Sequence, residues 1–267
     1  MQKNDLVEVF KDTIATYSTE YAGYTKELRK NDTFVYAVPN IAVYFEPNPN
    51  MNMYVVNGGT VETGKKFALS YDSLTFGKRT AILNFADGIE PGGLVLVGET
   101  TQEENICRCS NLYASLTTDR AWAEYYDYNA TKFGIYSDRI IYSRNVLFFK
   151  DDVTYEREAP YFMDVITCPA PSQKIMDKQL EHDILYRRIE QIIKSAIDND
   201  VNNLILGAWG CGAFGQNPEV VSRCFADVLM NYNAFDNVVF AIRSFRNDSS
   251  KIRNNYDAFY QTFGGKE

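Results

Sequence analysis

A single histidine, His182, stands among 267 residues, and that scarcity removes several kinds of chemistry at once. Ser-His-Asp and Cys-His nucleophile systems and His-rich metal sites all need imidazole at the reacting centre. His182 lies in the stretch 176–197, where Leu180, Ile184, Leu185, Ile189, Ile192, Ile193 and Ile197 recur at helical spacing, and it falls off that apolar stripe. It reads as a surface residue of an amphipathic helix. The five cysteines, Cys107, Cys109, Cys168, Cys211 and Cys224, are odd in number and scattered, and Cys107-x-Cys109 has no second pair at zinc spacing. They read as reduced thiols. Also missing are any apolar run long enough to span a bilayer and the apolar core of a signal peptide at the start. A cytoplasmic protein without a membrane partner is therefore expected. Positive charge is in deficit: 27 Lys and Arg against 35 Asp and Glu leave a formal net charge of −8, which argues against a broad grip on nucleic acid. A small anion remains a compatible ligand, because backbone N–H dipoles act at contact range whereas net charge acts through a screened field.

What is present is a chain able to bury a core, with 45% hydrophobic residues. A first amphipathic helix is predicted from about Asp5 into the twenties, with Leu6, Val9, Phe10, Ile14, Tyr17 and Tyr21 near one face. Residues 46–53, rich in Pro and Asn, and residues 57–60 read as loops, neither long enough for a domain linker. Apolar runs at 80–85, 139–143, 146–149, 162–167, 203–207 and 237–242 read as strands, and helical stretches near 102–118, 177–199 and 218–232 interleave with them. That alternation predicts an α/β fold: a largely parallel or mixed sheet covered by helices on both faces, with ligands held beyond the carboxyl ends of the strands.

Two glycine-rich segments follow predicted strands, where such a crevice lies. Pro91-Gly92-Gly93 comes shortly after the strand ending at Phe85, and residues 207–215 (Gly-Ala-Trp-Gly-Cys-Gly-Ala-Phe-Gly) follow the strand ending near Leu206. Opposed loops of this kind can clamp a diphosphate by N–H donation. Taken alone, each loop reads first as an ordinary turn. After seven further residues the first loop leads to Gln102, Glu103 and Glu104. Thr100 with Glu103, and Thr101 with Glu104, both fit a capping box, which on local sequence alone accounts for the carboxylates. The spacing 95–101 would set the glycine turn many ångströms from the acids. Adjacent residues at a helix start project about 100° apart, so the two glutamates are not expected to flank one sugar as a two-carboxylate glycosidase pair does. One would move a proton while the other grips ribose hydroxyls.

These segments together resemble the microbial branch of the poly(ADP-ribose) glycohydrolase family. The resemblance rests on residues 83–86, on Pro91, Gly92 and Gly93, on Gln102, Glu103 and Glu104 followed by Cys107, Arg108, Ser110, Leu112 and Tyr113, and on residues 207–215; it spans roughly 80–232. It implies a macrodomain-like mixed sheet sandwiched by helices, one catalytic domain over residues 1–267, with about residues 1–45 as a helical N-terminal extension packed on it. It further implies hydrolysis of ribose O-glycosidic bonds in ADP-ribose polymers or ADP-ribosylated proteins, without metal or cofactor. By this resemblance Glu104 is the acid and base, Glu103 binds the ribose or leaving oxygen, and Asn84 orients the same ribose. Gln102 joins the substrate-binding residues. The backbone of Gly92, Gly93 and Leu94 and of Gly210, Cys211, Gly212, Ala213, Phe214 and Gly215 cradles the diphosphate, with Phe214 packed on the ribose. One departure stands out: the family has three consecutive glycines where this chain has Gly92, Gly93 and Leu94. If position 94 requires a positive φ, leucine there costs about 1–2 kcal/mol. A non-catalytic ADP-ribose-binding module and a hydrolase of a free ADP-ribosyl metabolite are the alternatives to the polymer hydrolase.

Overall fold

The computed structural model describes residues 1–37, 41–132, 134–172, 178–244 and 250–264, with backbone alone at 71, 74, 178–179 and 250–253. Seven strands, β1 (Thr33–Tyr36), β2 (Asn52–Val56), β3 (Arg79–Phe85), β4 (Ile140–Lys150), β5 (Arg157–Cys168), β6 (Val201–Leu206) and β7 (Asn237–Ala241), form one sheet in the order β1-β4-β5-β3-β6-β7-β2. β1, β4 and β5 pair antiparallel, whereas β5, β3, β6, β7 and β2 run parallel to one another. The sheet is thus mixed, as the alternation of elements predicts. Its central strands are continuous apolar runs because both faces are covered.

Side chains alternate across each strand, so Leu83, Ile166, Leu206 and Phe240 face one core cluster and Ile82, Val165, Ile205 and Val239 the other. The first cluster is closed by α9 (Lys178–Asp198), α10 (Pro218–Asn231) and α11 (Ser250–Phe263), through Leu185, Ile189, Ile193, Phe225 and Phe259. The second is closed by α1 (Lys3–Thr19), α2 (Ala22–Lys30), α3 (Thr60–Ala68), α5 (Gln102–Cys109) and α6 (Leu112–Leu116), through Phe10, Leu28, Val61, Ile106 and Leu112. Short helices α4 (Tyr71–Phe76), α7 (Asp119–Ala121) and α8 (Asp127–Ala130), and a π turn at Trp122–Tyr126, complete the connections. Among the described residues no helix is long and apolar enough to cross a membrane.

Several elements differ from the sequence reading for identifiable reasons. The first predicted helix is two, broken at Glu20 and Tyr21. The helix expected over 102–118 stops at Cys109 because Ser110 turns extended and bridges to Phe148. The two runs before and after residue 145 are one strand, β4, which carries Asn145 at φ 50 where the register shifts between Ser143 and Val146. Residues 46–53 read as a loop, yet β2 takes in the last two of them, Asn52 and Met53; as an edge strand with mostly half-buried side chains it shows little apolar alternation. In α9, Ile184, Leu185, Ile189, Ile192, Ile193 and Ile197 are buried as expected, whereas Leu180 is exposed near the helix start. Met176 and Asp177, at the start of that predicted stretch, lie outside the described residues. His182 is on the surface, 3.8 Å from Asp183.

The first helix is fastened to the rest by one buried cation. Lys150, at the end of β4, donates to the Val9 carbonyl (3.0 Å) and to Thr13 Oγ1 (2.8 Å) and pairs with Asp12 (2.7 Å). Thr13 in turn bonds the Arg108 carbonyl on α5 (2.7 Å). Lys150→Ala removes a buried charged donor together with its bonds to Val9, Thr13 and Asp12, so a loss of about 2–3 kcal/mol is expected in urea unfolding. A midpoint equal to that of the wild type would show that α1 is held by apolar contact alone.

Candidate active site

β3 and β6 are parallel neighbours, so the two glycine loops that leave their carboxyl ends lie side by side at one edge of the sheet. The first turn of α5 is pinned to the same edge. Gln102 accepts from the Phe85 backbone N–H (2.8 Å) and donates to the Leu83 carbonyl (2.7 Å) and Thr60 Oγ1 (3.3 Å). Its amide therefore works within the protein, and it fixes where the next two residues point. Arg108, fully buried one turn further on, donates to the Glu99 carbonyl and holds the spacer that precedes the helix.

Neither glutamate makes the capping box that local sequence suggests. Thr101 is the N-cap, but its side chain caps no backbone N–H; its hydroxyl donates instead to Glu104 Oε2. Glu104 Oε1 accepts from the Leu94 N–H (2.9 Å). Glu103 accepts from the Asp87 N–H (2.7 Å) and from Asn84 Nδ2 (3.1 Å). Both carboxylates thus turn away from their own helix toward the loop after β3, and both are nearly inaccessible, 2% exposed at Glu103 and 4% at Glu104. The expected separation of turn and acids is corrected by the same contacts. A Cβ placed on Gly93 would lie 2.6 Å from Glu104 Oε1 and 3.3 Å from Glu103 Oε2. The two acids converge on one glycine because the loop folds back over the helix start.

That glycine is required for two reasons. Gly92 and Gly93 adopt φ 71 and 58, the left-handed region that favours glycine, and Gly93 leaves no room for a side chain. Leu94 has φ −97, so the penalty considered for a leucine at this position does not arise. Its side chain is half exposed. The departure from three glycines sits where the backbone tolerates any residue.

Asn84 is fully buried; it donates to Glu103 and to Thr167 Oγ1 (3.2 Å), and its Oδ1 has no partner among the described residues. A buried acceptor left unpaired beside two carboxylates is costly and points to a role beyond folding. Burial, foremost, raises the Glu103 carboxyl well above the usual carboxylate range; the Asp87 N–H and Asn84 donors oppose it, and the charge of Glu104 adds to it. A folded-state value above the unfolded one means that Glu103 contributes stability fully below its unfolded pKa and loses it as pH rises through the folded pKa. Glu103→Gln does not titrate there. Whatever its offset at pH 4, its stability relative to the wild type is expected to rise by at least about 1 kcal/mol as pH increases to 8. Denaturant midpoints of both proteins across that range check it, and parallel curves would contradict it.

The second loop is anchored from below. Trp209 is buried and donates to the Cys168 carbonyl (3.0 Å), and Gly210, at φ 78, packs against Ala170 and Gln216. Cys211 is buried with its thiol toward the Trp209 carbonyl, so only its backbone is available to a ligand. Gly212 and Ala213 are exposed, and Phe214 and Gly215 half-buried. The Phe214 ring meets Tyr136 edge-on at 5.9 Å, while the Tyr136 ring also covers Gly88 of the first loop. On the β7 side of the glutamates a cavity of about 540 Å³ is lined by Gly59, Thr60, Gln102, Gly212, Ile242 and Arg243. Arg243 crosses its rim to Asp152 (3.0 Å).

Sequence reasoning did not single out Thr167, Asp87, Tyr136, Asp152 or Arg243. Asp87 acts through its backbone, which any residue supplies, and Tyr136 is one of nineteen tyrosines. Thr167, Asp152 and Arg243 reach the site only through sheet pairing and loop return. No local signal marks them.

The family model described as microbial-type PARG, catalytic domain, matches residues 11–151, a stretch that holds Asn84, the first glycine loop and the glutamate pair. Among solved structures, poly(ADP-ribose) glycohydrolase (PARG) from Thermomonospora curvata is similar at 25% identity and a TM-score of 0.84, over 97% of this chain and 100% of that chain. The same enzyme bound to the inhibitor ADP-HPD matches at 26% identity with a TM-score of 0.82, over the same shares. PARG from Deinococcus radiodurans in complex with ADP-ribose matches at 27% identity, with a TM-score of 0.74 over 89% of this chain and 96% of that one. No curated protein matches the sequence.

Proposed function

The chain belongs to the microbial-type PARG catalytic-domain family, and from that premise we propose that it hydrolyses the ribose O-glycosidic bond of poly(ADP-ribose) or of ADP-ribosylated proteins and releases ADP-ribose. The observation that carries this reading is the convergence of Glu103 and Glu104 on Gly93, beside the unpaired Asn84 Oδ1. A ribosyl group seated there meets a hydroxyl acceptor and two carboxyl groups at once. As the bond from C1″ to the departing oxygen breaks, Glu104 gives that oxygen a proton. It then takes a proton from the water that adds to C1″, and the carboxyl group ends as it began. Asn84 accepts from a ribose hydroxyl, and Glu103 holds the ribose or leaving oxygen. N–H groups of the two glycine loops hold the diphosphate, Phe214 packs on the ribose, and the cavity beside Arg243 takes the adenosine end.

One observation favours a second assignment within the same reaction. Burial raises the Glu103 carboxyl, and a group that keeps its proton to higher pH can serve as the general acid over a wider pH range. Rate profiles against pH for Glu103→Gln and Glu104→Gln separate the two: the acid's variant loses the limb at which the wild type falls off in base. Leu94 sits at an ordinary φ and gives a binding-only module no support.

In this reading residues 1–267 form one catalytic unit, with about residues 1–45 as an accessory segment, in the cytoplasm of a microbial source. Incubation of the wild type with poly(ADP-ribose) and with Ser- and Asp/Glu-linked mono-ADP-ribosylated protein tests it. Release of ADP-ribose, read by mass spectrometry, is expected from at least one. No release from any of them, with ADP-ribose still bound, would refute it.

A further inference from the structure

Beyond Tyr136 lies a second cavity, of about 290 Å³, whose lining departs from the acidic balance of the chain. Lys132, Arg139, Arg187 and Arg188 face it, and among the described residues lining it Asp138 is the one carboxylate. Arg188 is buried and committed to the fold: it bonds Asp138 (3.0 Å) and the Pro169 (3.0 Å) and Ile135 carbonyls. Arg187 shares the same Asp138 and keeps nearly half of its side chain exposed. Among the described residues Lys132 and Arg139 have no carboxylate within ion-pair distance, and Arg139 donates to the Glu124 carbonyl. Both instead sit on the ring of Tyr128, the ammonium 4.6 Å and the guanidinium 3.5 Å from its centroid. Lys132, Arg139 and Arg187 line this one cavity, and an anion held in it would be attracted by all three.

The place of this cavity in the fold gives the anion an identity. Along the sheet the order runs β2, β7, β6, β3, β5, β4. The cavity assigned to the adenosine end lies toward β2 and β7, and Asn84 is on β3. The basic cavity lies at the far end, beside the start of β4 and the Pro169 carbonyl just after β5. A ligand laid along the strand ends therefore passes the glutamates, then Tyr136, then the cations. Tyr136 belongs to both sites: its ring covers Gly88 and meets Phe214, and it also lines the basic cavity. It holds φ 59, a conformation unusual for an aromatic residue.

We propose that the cavity formed by Lys132, Arg139, Arg187 and Tyr128 binds the diphosphate of the adjoining ADP-ribose unit when the substrate is a polymer; this rests on the reading given under the proposed function. In such a polymer the oxygen freed by hydrolysis belongs to a ribose that carries a diphosphate on its 5′ carbon. One sugar ring and one methylene separate the scissile oxygen from that second anion. Guanidinium groups suit it because their planar N–H pairs match phosphate oxygens, and Lys132 adds a mobile charge.

The test is the double variant K132A/R187A, which spares the buried Arg188, with K132R/R187K as the conservative control. On poly(ADP-ribose) the alanine variant is expected to show KM raised roughly tenfold, about the effect of one lost charge-assisted hydrogen bond, with kcat little changed. Its kcat/KM on a peptide carrying a single ADP-ribosyl group should equal that of the wild type, and the conservative variant should restore the polymer KM. Pyrophosphate titrated into protein already saturated with ADP-ribose should find one further site in the wild type and none in the alanine variant. An unchanged polymer KM, an equal loss on both substrates, or no second pyrophosphate site in the wild type would overturn the proposal. If the wild type cleaves no substrate at all, the hydrolase reading fails, and the pyrophosphate titration alone decides this site.

Discussion

Glu104→Gln is expected to lower ADP-ribose release by about 10²–10⁴-fold while ADP-ribose affinity stays near that of the wild type. Glutamine keeps the shape of the side chain and an oxygen that can accept from the Leu94 N–H, now at 2.9 Å. The Thr101 hydroxyl, a donor to Glu104 Oε2 in this structure, can rotate and accept from the new amide. The first glycine loop therefore keeps its position, and only the capacity to give and take a proton is lost. Titration calorimetry with ADP-ribose alongside steady-state assay reads the two effects separately. A variant that binds tightly and turns over at the wild-type rate would remove Glu104 from the reaction; loss of binding and rate together would make it a support for the loop.

Gly93→Ala is the second change with a large expected effect. Its backbone sits at φ 58, where a Cβ costs about 1–2 kcal/mol, and the added methyl would stand 2.6 Å from Glu104 Oε1 and 3.3 Å from Glu103 Oε2. The methyl cannot be accommodated unless a carboxylate moves. A displacement of the order of 1 Å at a reacting group costs about 10²-fold in rate, so kcat is expected to fall by that much while the denaturant midpoint falls only modestly. The same residue thus separates a folding effect from a catalytic one. Full activity in a stable Gly93→Ala protein would mean that the loop does not set the position of the acids.

Much of this site was legible in the chain because its parts are local. Asn84, the glycine pair and the two glutamates fall within 21 residues, and the second loop follows the neighbouring parallel strand. The apolar runs of β3, β5, β6 and β7 are clear because they are covered on both sides. Less legible was anything decided by distant chain. The capping-box pattern at Thr100 and Thr101 was a sound local expectation that lost to donors from Asp87 and Leu94, which arrive only when the loop folds back. The concern over Leu94 came from counting glycines, whereas the backbone needs the left-handed conformation at 92 and 93 alone. β2, at the sheet edge among Asn and Met, carries too little apolar alternation to be seen. Lys132 and Arg187 are 55 positions apart in sequence and meet only because α9 packs beside the segment that leads into β4.

In the proposed reaction Glu103 and Glu104, gathered on Gly93, form the hydrolytic centre. Digestion of poly(ADP-ribose) in water enriched in oxygen-18 tests it most directly, with the label located by mass spectrometry. The wild type is expected to place the label on C1″ of the released ADP-ribose and none on the departing hydroxyl, and Glu104→Gln to release almost nothing. Bound ADP-ribose with no labelled product from the wild type would contradict it and leave a binding site without catalysis.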